Sequence, residues 1–211
     1  MAEGLRERKK QKTRELLAET ARRLFAERGF ERVTVTEIAR EAEVSPATVF
    51  NYFPTKEDLF YSRLEAFEDE LLNAIRDRAA GESVIDAFSG FLLGQGGVLT
   101  MDSPEADEQL RTITRIITES PALLARERQV FDRYAQTLAA LLAEETNADP
   151  QDIVPQAVAR ALLGLHRALI DEVRRAALAG TPVATIRPRI QAGAEQALAQ
   201  LKHGLADYGA S

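Results

Sequence analysis

Two helix-start signals, Thr34 and Ser45-Pro46, stand eleven residues apart, leaving room only for short helices with a tight turn between them. Thr34 has Glu37 three residues on, the spacing of a capping box, in which each side chain takes up an unpaired backbone N–H of the other. Val35, Ile38, Ala39 and Ala42 follow at helical spacing and predict a helix ending near Glu43. Ser45 can cap, and Pro46 suits a first helical position because the N–H it lacks would be unpaired there anyway. The next helix then runs from Pro46 to about Tyr52, and Pro54 stops it. A longer helix from about Glu7 to Arg28 precedes the pair. It buries Leu17, Ala21, Leu24 and Phe25 on one stripe and closes at Gly29, with Phe30 folding back. This is the layout of a helix-turn-helix.

Helical spacing continues through the rest of the chain, and no strand-like run is long enough to matter. Thr55, three residues before Asp58, caps a fourth helix reaching towards Gly81. Breaks at Gly81, Gly94 to Gly97, Ser103-Pro104, Ser120-Pro121, Asn147 to Pro150 and Gly180 to Pro182 predict five more. The expectation is an all-α chain of about nine helices, divided near Pro54 into residues 1–54 and 55–211.

The chemistry-bearing residues exclude more than they offer. There is no Cys, hence no disulfide, thiolate metal site or cysteine nucleophile. His166 and His203 are the only histidines, and no H-E-x-x-H pattern occurs. Gly94 to Gly97 has neither the lysine of a phosphate loop nor a strand before it. Asp69 and Glu70 diverge by about 100° on a helix and cannot share a site. We expect no enzyme, no catalytic residue, no metal and no cofactor. The start, Met1 to Lys12, is charged, and no uninterrupted apolar run approaches the roughly 20 residues that cross a bilayer. The expected setting is the cytoplasm, without a membrane.

Net charge is −6, but it is unevenly spread. Residues 5–14 carry +5, residues 1–60 carry +1, and the remainder carries −7. The basic run reads either as a solvated helix start or, through Arg6, Lys9, Lys10 and Lys12, as an arm along phosphates or a minor groove. A helix entering a major groove needs short or flat side chains towards base edges and hydroxyls or cations at its flanks. Ala47, Thr48, Asn51 and Tyr52 form such a set.

Residues 10 to 60 resemble the DNA-binding domain of the TetR family of bacterial regulators. The resemblance is carried by Ala21, Leu24, Phe25 and Gly29-Phe30, by Thr34-Val35 and Ile38-Ala39, and above all by Val44-Ser45-Pro46-Ala47-Thr48-Val49-Phe50-Asn51-Tyr52-Phe53 followed by Lys56-Glu57-Asp58-Leu59. It implies that Thr34, Thr36 and Lys56 contact phosphates and that Ser45, Pro46, Ala47, Thr48, Asn51 and Tyr52 form the recognition surface. Val49 and Phe53 read as packing residues. Two positions depart from the family. Phe50 stands where Tyr is usual and is expected only to pack. Glu43 stands where Gly is common, and a positive φ there would cost about 1 kcal/mol.

The resemblance also implies that residues 55–211 bind a ligand and dimerise through the last two helices, where Gln156 to Ala179 and Ile190 to Leu205 are rich in Ala and Leu. Candidate ligand contacts are Phe67, Leu71, Phe88, Phe91, Arg115, Phe131, Tyr134 and His166, with Thr114 and Gln95 as further polar handles. Arg111 and Arg115 suit an anion, or else bridge to Glu108 or Glu119. The expected function is repression from a palindromic double-stranded operator, relieved by a small apolar or acyl-type effector such as a fatty acyl group or acyl-CoA. The alternative is control by a protein partner without a small ligand.

Overall fold

The computed structural model describes residues 2–94, 103–149 and 152–205, and among these every regular element is a helix. The chain divides into two compact units, the first made of residues 1–66 and 116–127, the second of 67–115 and 128–211.

In the first unit, α1 (Ala2–Arg28), α2 (Val35–Glu41), α3 (Pro46–Tyr52) and α4 (Lys56–Phe60) enclose one apolar core. Gly29 takes φ +80° at the end of α1, and the Phe30 ring returns to lie 5.1 Å from Phe25. α4 ends at Tyr61 rather than continuing. The expected single fourth helix is therefore two, with α5 (Ser62–Arg76) resuming after a one-residue break. At the break the Tyr61 hydroxyl donates to the Leu123 carbonyl at 3.1 Å and the Ser62 hydroxyl to that of Leu59. The first is a tertiary bond and the second a local one, and together they occupy the point at which a sequence that by periodicity alone would stay helical divides.

The first unit also includes Ile116–Glu127, the corner between α7 (Pro104–Glu119) and α8 (Pro121–Thr146). Ile116, Ile117 and Leu123 are buried in the same core as α1 to α4. Contact thus carries the first unit past the expected division at Pro54.

The second unit holds α6 (Val84–Gly94), α9 (Ile153–Leu178), α10 (Val183–Leu205) and most of α5, α7 and α8. α10 packs on both α9 and α6. The turn between α9 and α10 is held from α7, where Arg111 Nε donates to the Ala177 carbonyl and Asp107 Oδ1 accepts the Val183 N–H at 2.8 Å. Both bonds satisfy helix-end groups that would otherwise lack partners. Arg78 grips Glu145 with two bonds of 3.0 and 2.8 Å, fixing the end of α5 to α8. α9 is long and apolar enough by length and composition alone to cross a membrane. Its buried stripe, from Val158 to Ala177, faces the core of this unit.

Candidate nucleic-acid interface

The starts of α2 and α3 are built from the caps that the sequence announced. Thr34 Oγ1 accepts the Glu37 N–H at 3.2 Å, and the Glu37 carboxylate accepts both the Thr34 N–H and its hydroxyl at 2.9 Å. These bonds from Thr34 hold the Glu37 carboxyl below its ordinary range. The Thr34 hydroxyl is thereby engaged in the cap, whereas Thr36 is exposed. Glu43 adopts φ 55°, the left-handed conformation that glycine accepts without strain. Ser45 caps α3, accepting the Thr48 N–H at 3.1 Å and pairing with the Thr48 hydroxyl at 2.8 Å.

α3 anchors one face and presents another. Val49 and Phe53 are fully buried, as their spacing required. Ser45, Pro46, Ala47 and Asn51 are exposed, and Thr48 and Tyr52 are half-buried. The Tyr52 ring packs against the core edge. The expectation for Phe50 is corrected: the residue is 51% exposed and lies outside the core. The reason is angular, because successive residues rotate by 100° and Val49 already occupies the inward direction.

Two cations brace this surface. Arg14 donates to the Tyr52 carbonyl at 3.1 Å, and its guanidinium lies 4.5 Å from the Phe53 ring centre. A positive group at the carbonyl end of a helix is favoured by its dipole, so Arg14 holds α3 from α1. In the sequence Arg14 is only one of the charges of the basic run, because nothing local marks a partner 38 residues away. Lys56 donates to the carbonyls of Phe30 and Val33 at 3.0 and 3.2 Å, with Nζ 4.1 Å from the Phe30 ring centre. Two of its three N–H groups thus tie the start of α4 to the loop after α1. Lys9, Lys10 and Lys12 are exposed along α1, so the basic run is the first part of a helix; the Arg6 side chain lies outside the described residues.

The candidate ligand residues gather in the second unit. His166 is stacked on Phe67 at 4.6 Å and lies 5.9 Å from Phe131, while Phe67 also meets Phe91 at 5.1 Å and Phe131 meets Tyr134 at 6.0 Å. Leu71 and Phe88 are buried in the same unit. Arg115 is exposed, Thr114 is buried, and Gln95 lies outside the described residues. Arg111 pairs with Glu108 at 2.7 Å, one of the two partners its spacing allowed. A groove of about 670 Å³ runs elsewhere, along α8 and the start of α9, lined by Ala139, Ala143, Asp152 and Pro155 among others.

A helix-turn-helix with an exposed, hydroxyl- and amide-bearing second helix, on an otherwise helical chain, defines a DNA-binding regulator. Residues 17–62 match the family model of bacterial regulatory proteins of the tetR family, and residues 97–181 match that of the MftR C-terminal domain. The transcriptional regulator TcmR of Streptomyces glaucescens is 33% identical over 151 residues, 71% of this chain and 67% of that one. A mycofactocin biosynthesis regulator, MftR of Mycobacterium tuberculosis, is 26% identical over 156 residues, 71% of this chain and 73% of that one. A crystal structure of a TetR-family regulator from Mesorhizobium loti shares the fold at a TM-score of 0.55, with 18% identity, over 92% of this chain and 96% of that one. The chain belongs to the TetR family of transcriptional regulators and is not an enzyme.

Proposed function

We propose that two copies of the chain, paired through α9 and α10, repress transcription in the cytoplasm by binding a near-palindromic double-stranded operator, and that a small apolar or acyl-type effector taken up by the second unit releases them. The observation that carries this reading is the α7–α8 corner. Both helices belong mostly to the second unit, yet the corner they share is part of the core that supports α3 and α4. It is fastened there by Tyr61 to Leu123, by Ser120 to Glu31 at 2.7 Å and by the ion pair of Asp58 with Arg126 at 2.5 Å. A ligand that shifts α7 or α8 therefore acts on the DNA-binding core directly. A hundredfold preference of the effector for the DNA-incompetent state supplies about 2.7 kcal/mol of coupling.

The two α3 helices of a dimer would occupy successive major grooves about 34–36 Å apart. Asn51 reads base edges, Thr36 and the remaining N–H of Lys56 meet phosphates, and the aromatic cluster around His166 receives the effector. The test is fluorescence anisotropy with a duplex selected from a random pool by the wild-type protein. Asn51→Ala should weaken the selected site about tenfold or more while sparing unrelated sequence. Lys56→Ala should weaken every sequence and lower the salt slope by about one. Two variants that bind like wild type would remove the interface assignment. Dodecanoate and its coenzyme A thioester, added to the complex beside a solvent extract of the purified protein, test release. If none lowers the anisotropy, control by a protein partner becomes the better reading.

A further inference from the structure

Val49 points into the core, so the helical rotation of 100° per residue fixes the other directions on α3. Ala47 and Asn51 point away from the core. Pro46 and Phe50 lie on one flank of that outward line, Thr48 and Tyr52 on the other. The two flanks differ in chemistry and in reach. Thr48 and Tyr52 are half-buried and polar-tipped, and the Thr48 hydroxyl already pairs with Ser45. Pro46, Ala47 and Phe50 are all exposed and carry no side-chain donor or acceptor. The most projecting ring of the interface is therefore an apolar one.

An exposed phenyl ring cannot bond a phosphate or a base edge. In the major groove one base offers an apolar group, the C5-methyl of thymine, and phenylalanine is among the side chains that pack on it. Cytosine offers an N4 amino donor in the same region, which the ring would leave unpaired. Among the described residues of the first unit Phe50 is left 51% exposed, and the adjoining Ala47 is short enough to let the backbone approach.

We propose that Phe50 is a specificity-determining residue that reads a thymine methyl in each operator half-site, beside the base read by Asn51. It rests on α3 being the recognition helix. Burying one methyl is worth about fourfold in affinity per half-site.

The experiment takes the full chain and a duplex selected from a random pool, then replaces each thymine in turn by deoxyuridine, which removes only the methyl group. Wild type should lose about fourfold at one thymine per half-site. Phe50→Ala should bind the thymine and deoxyuridine duplexes equally, and because the ring is half exposed its thermal midpoint should match wild type. Asn51→Ala should bind more weakly overall yet keep the deoxyuridine penalty. A selected consensus with no fixed thymine, or a penalty that persists in Phe50→Ala, overturns the proposal. If Asn51→Ala alone weakens binding, only the role of Phe50 falls; if neither variant does, the recognition-helix reading falls with it.

Discussion

His166 shows how much one side chain can commit a helix to a particular environment. The residue is 8% exposed, its Nδ1 has no hydrogen-bond partner among the described residues, and rings lie on two sides of it. Burial disfavours the charged imidazolium and pushes the pKa down to about 4 from the ordinary 6.5. Between those values the unfolded chain binds a proton that the folded chain refuses, so stability falls as pH drops from 6.5 towards 4. Between pH 7 and pH 5 this group alone should remove about 2 kcal/mol. His166→Phe should abolish that part of the loss in urea unfolding measured at both pH values. An identical acid-side slope in the two proteins would show that the imidazole is accessible to protons in the native state.

At the scale of elements, caps and breakers were legible, while the bonds that reach across the fold were not. Thr34, Ser45 and Thr55 each cap the helix that their spacing predicted, because a cap is a contact within three residues. The six punctuated breaks from Gly81 onward returned the five expected later helices. What local reading missed is non-local. The division of the fourth helix at Tyr61 coincides with a bond to Leu123, and the start of α10 at Val183, where the Gly180 to Pro182 break placed it, is capped by Asp107, 76 residues away. Phe50, expected only to pack because it lacks the tyrosine hydroxyl, is exposed because Val49 already takes the inward direction of α3. Asp58 combines both kinds of contact. It accepts the Thr55 N–H at 2.9 Å within its own helix and pairs with Arg126 on α8, with only 4% of the residue exposed. Breaking a buried pair strands the remaining charge, although the 24% exposure of the Arg126 side chain moderates the cost. Asp58→Ala should therefore lower stability by about 2 kcal/mol in urea unfolding, beyond the roughly 1 kcal/mol typical of losing a surface cap. A loss within 0.5 kcal/mol of zero would show that the corner is held without this pair.

For the whole molecule, the decisive question is what covers α9. Its buried residues form one stripe, and Ala157, Ala161, Gly164 and Ala168 recur at three- and four-residue intervals on another side, exposed except for half-buried Ala161. Gly164 stands in the middle of this helix, where glycine costs about 1 kcal/mol relative to alanine. A Cβ added there would meet nothing within 4 Å in the single chain. Packing inside one copy therefore does not require the glycine. Close approach by a helix of a second copy, as in the dimer proposed above, would require it, and small residues on both sides of a two-fold axis would allow it. Gly164→Arg should leave the helical content and the single-chain core intact while blocking that approach. Sedimentation should then show a monomer where wild type is a dimer. The selected duplex should be bound at least 100-fold more weakly, because the two recognition helices would no longer be linked and each would bind one half-site alone. A variant that sediments as a dimer would place the interface on another face, and a monomeric variant that kept full affinity would show that one recognition helix suffices for the operator.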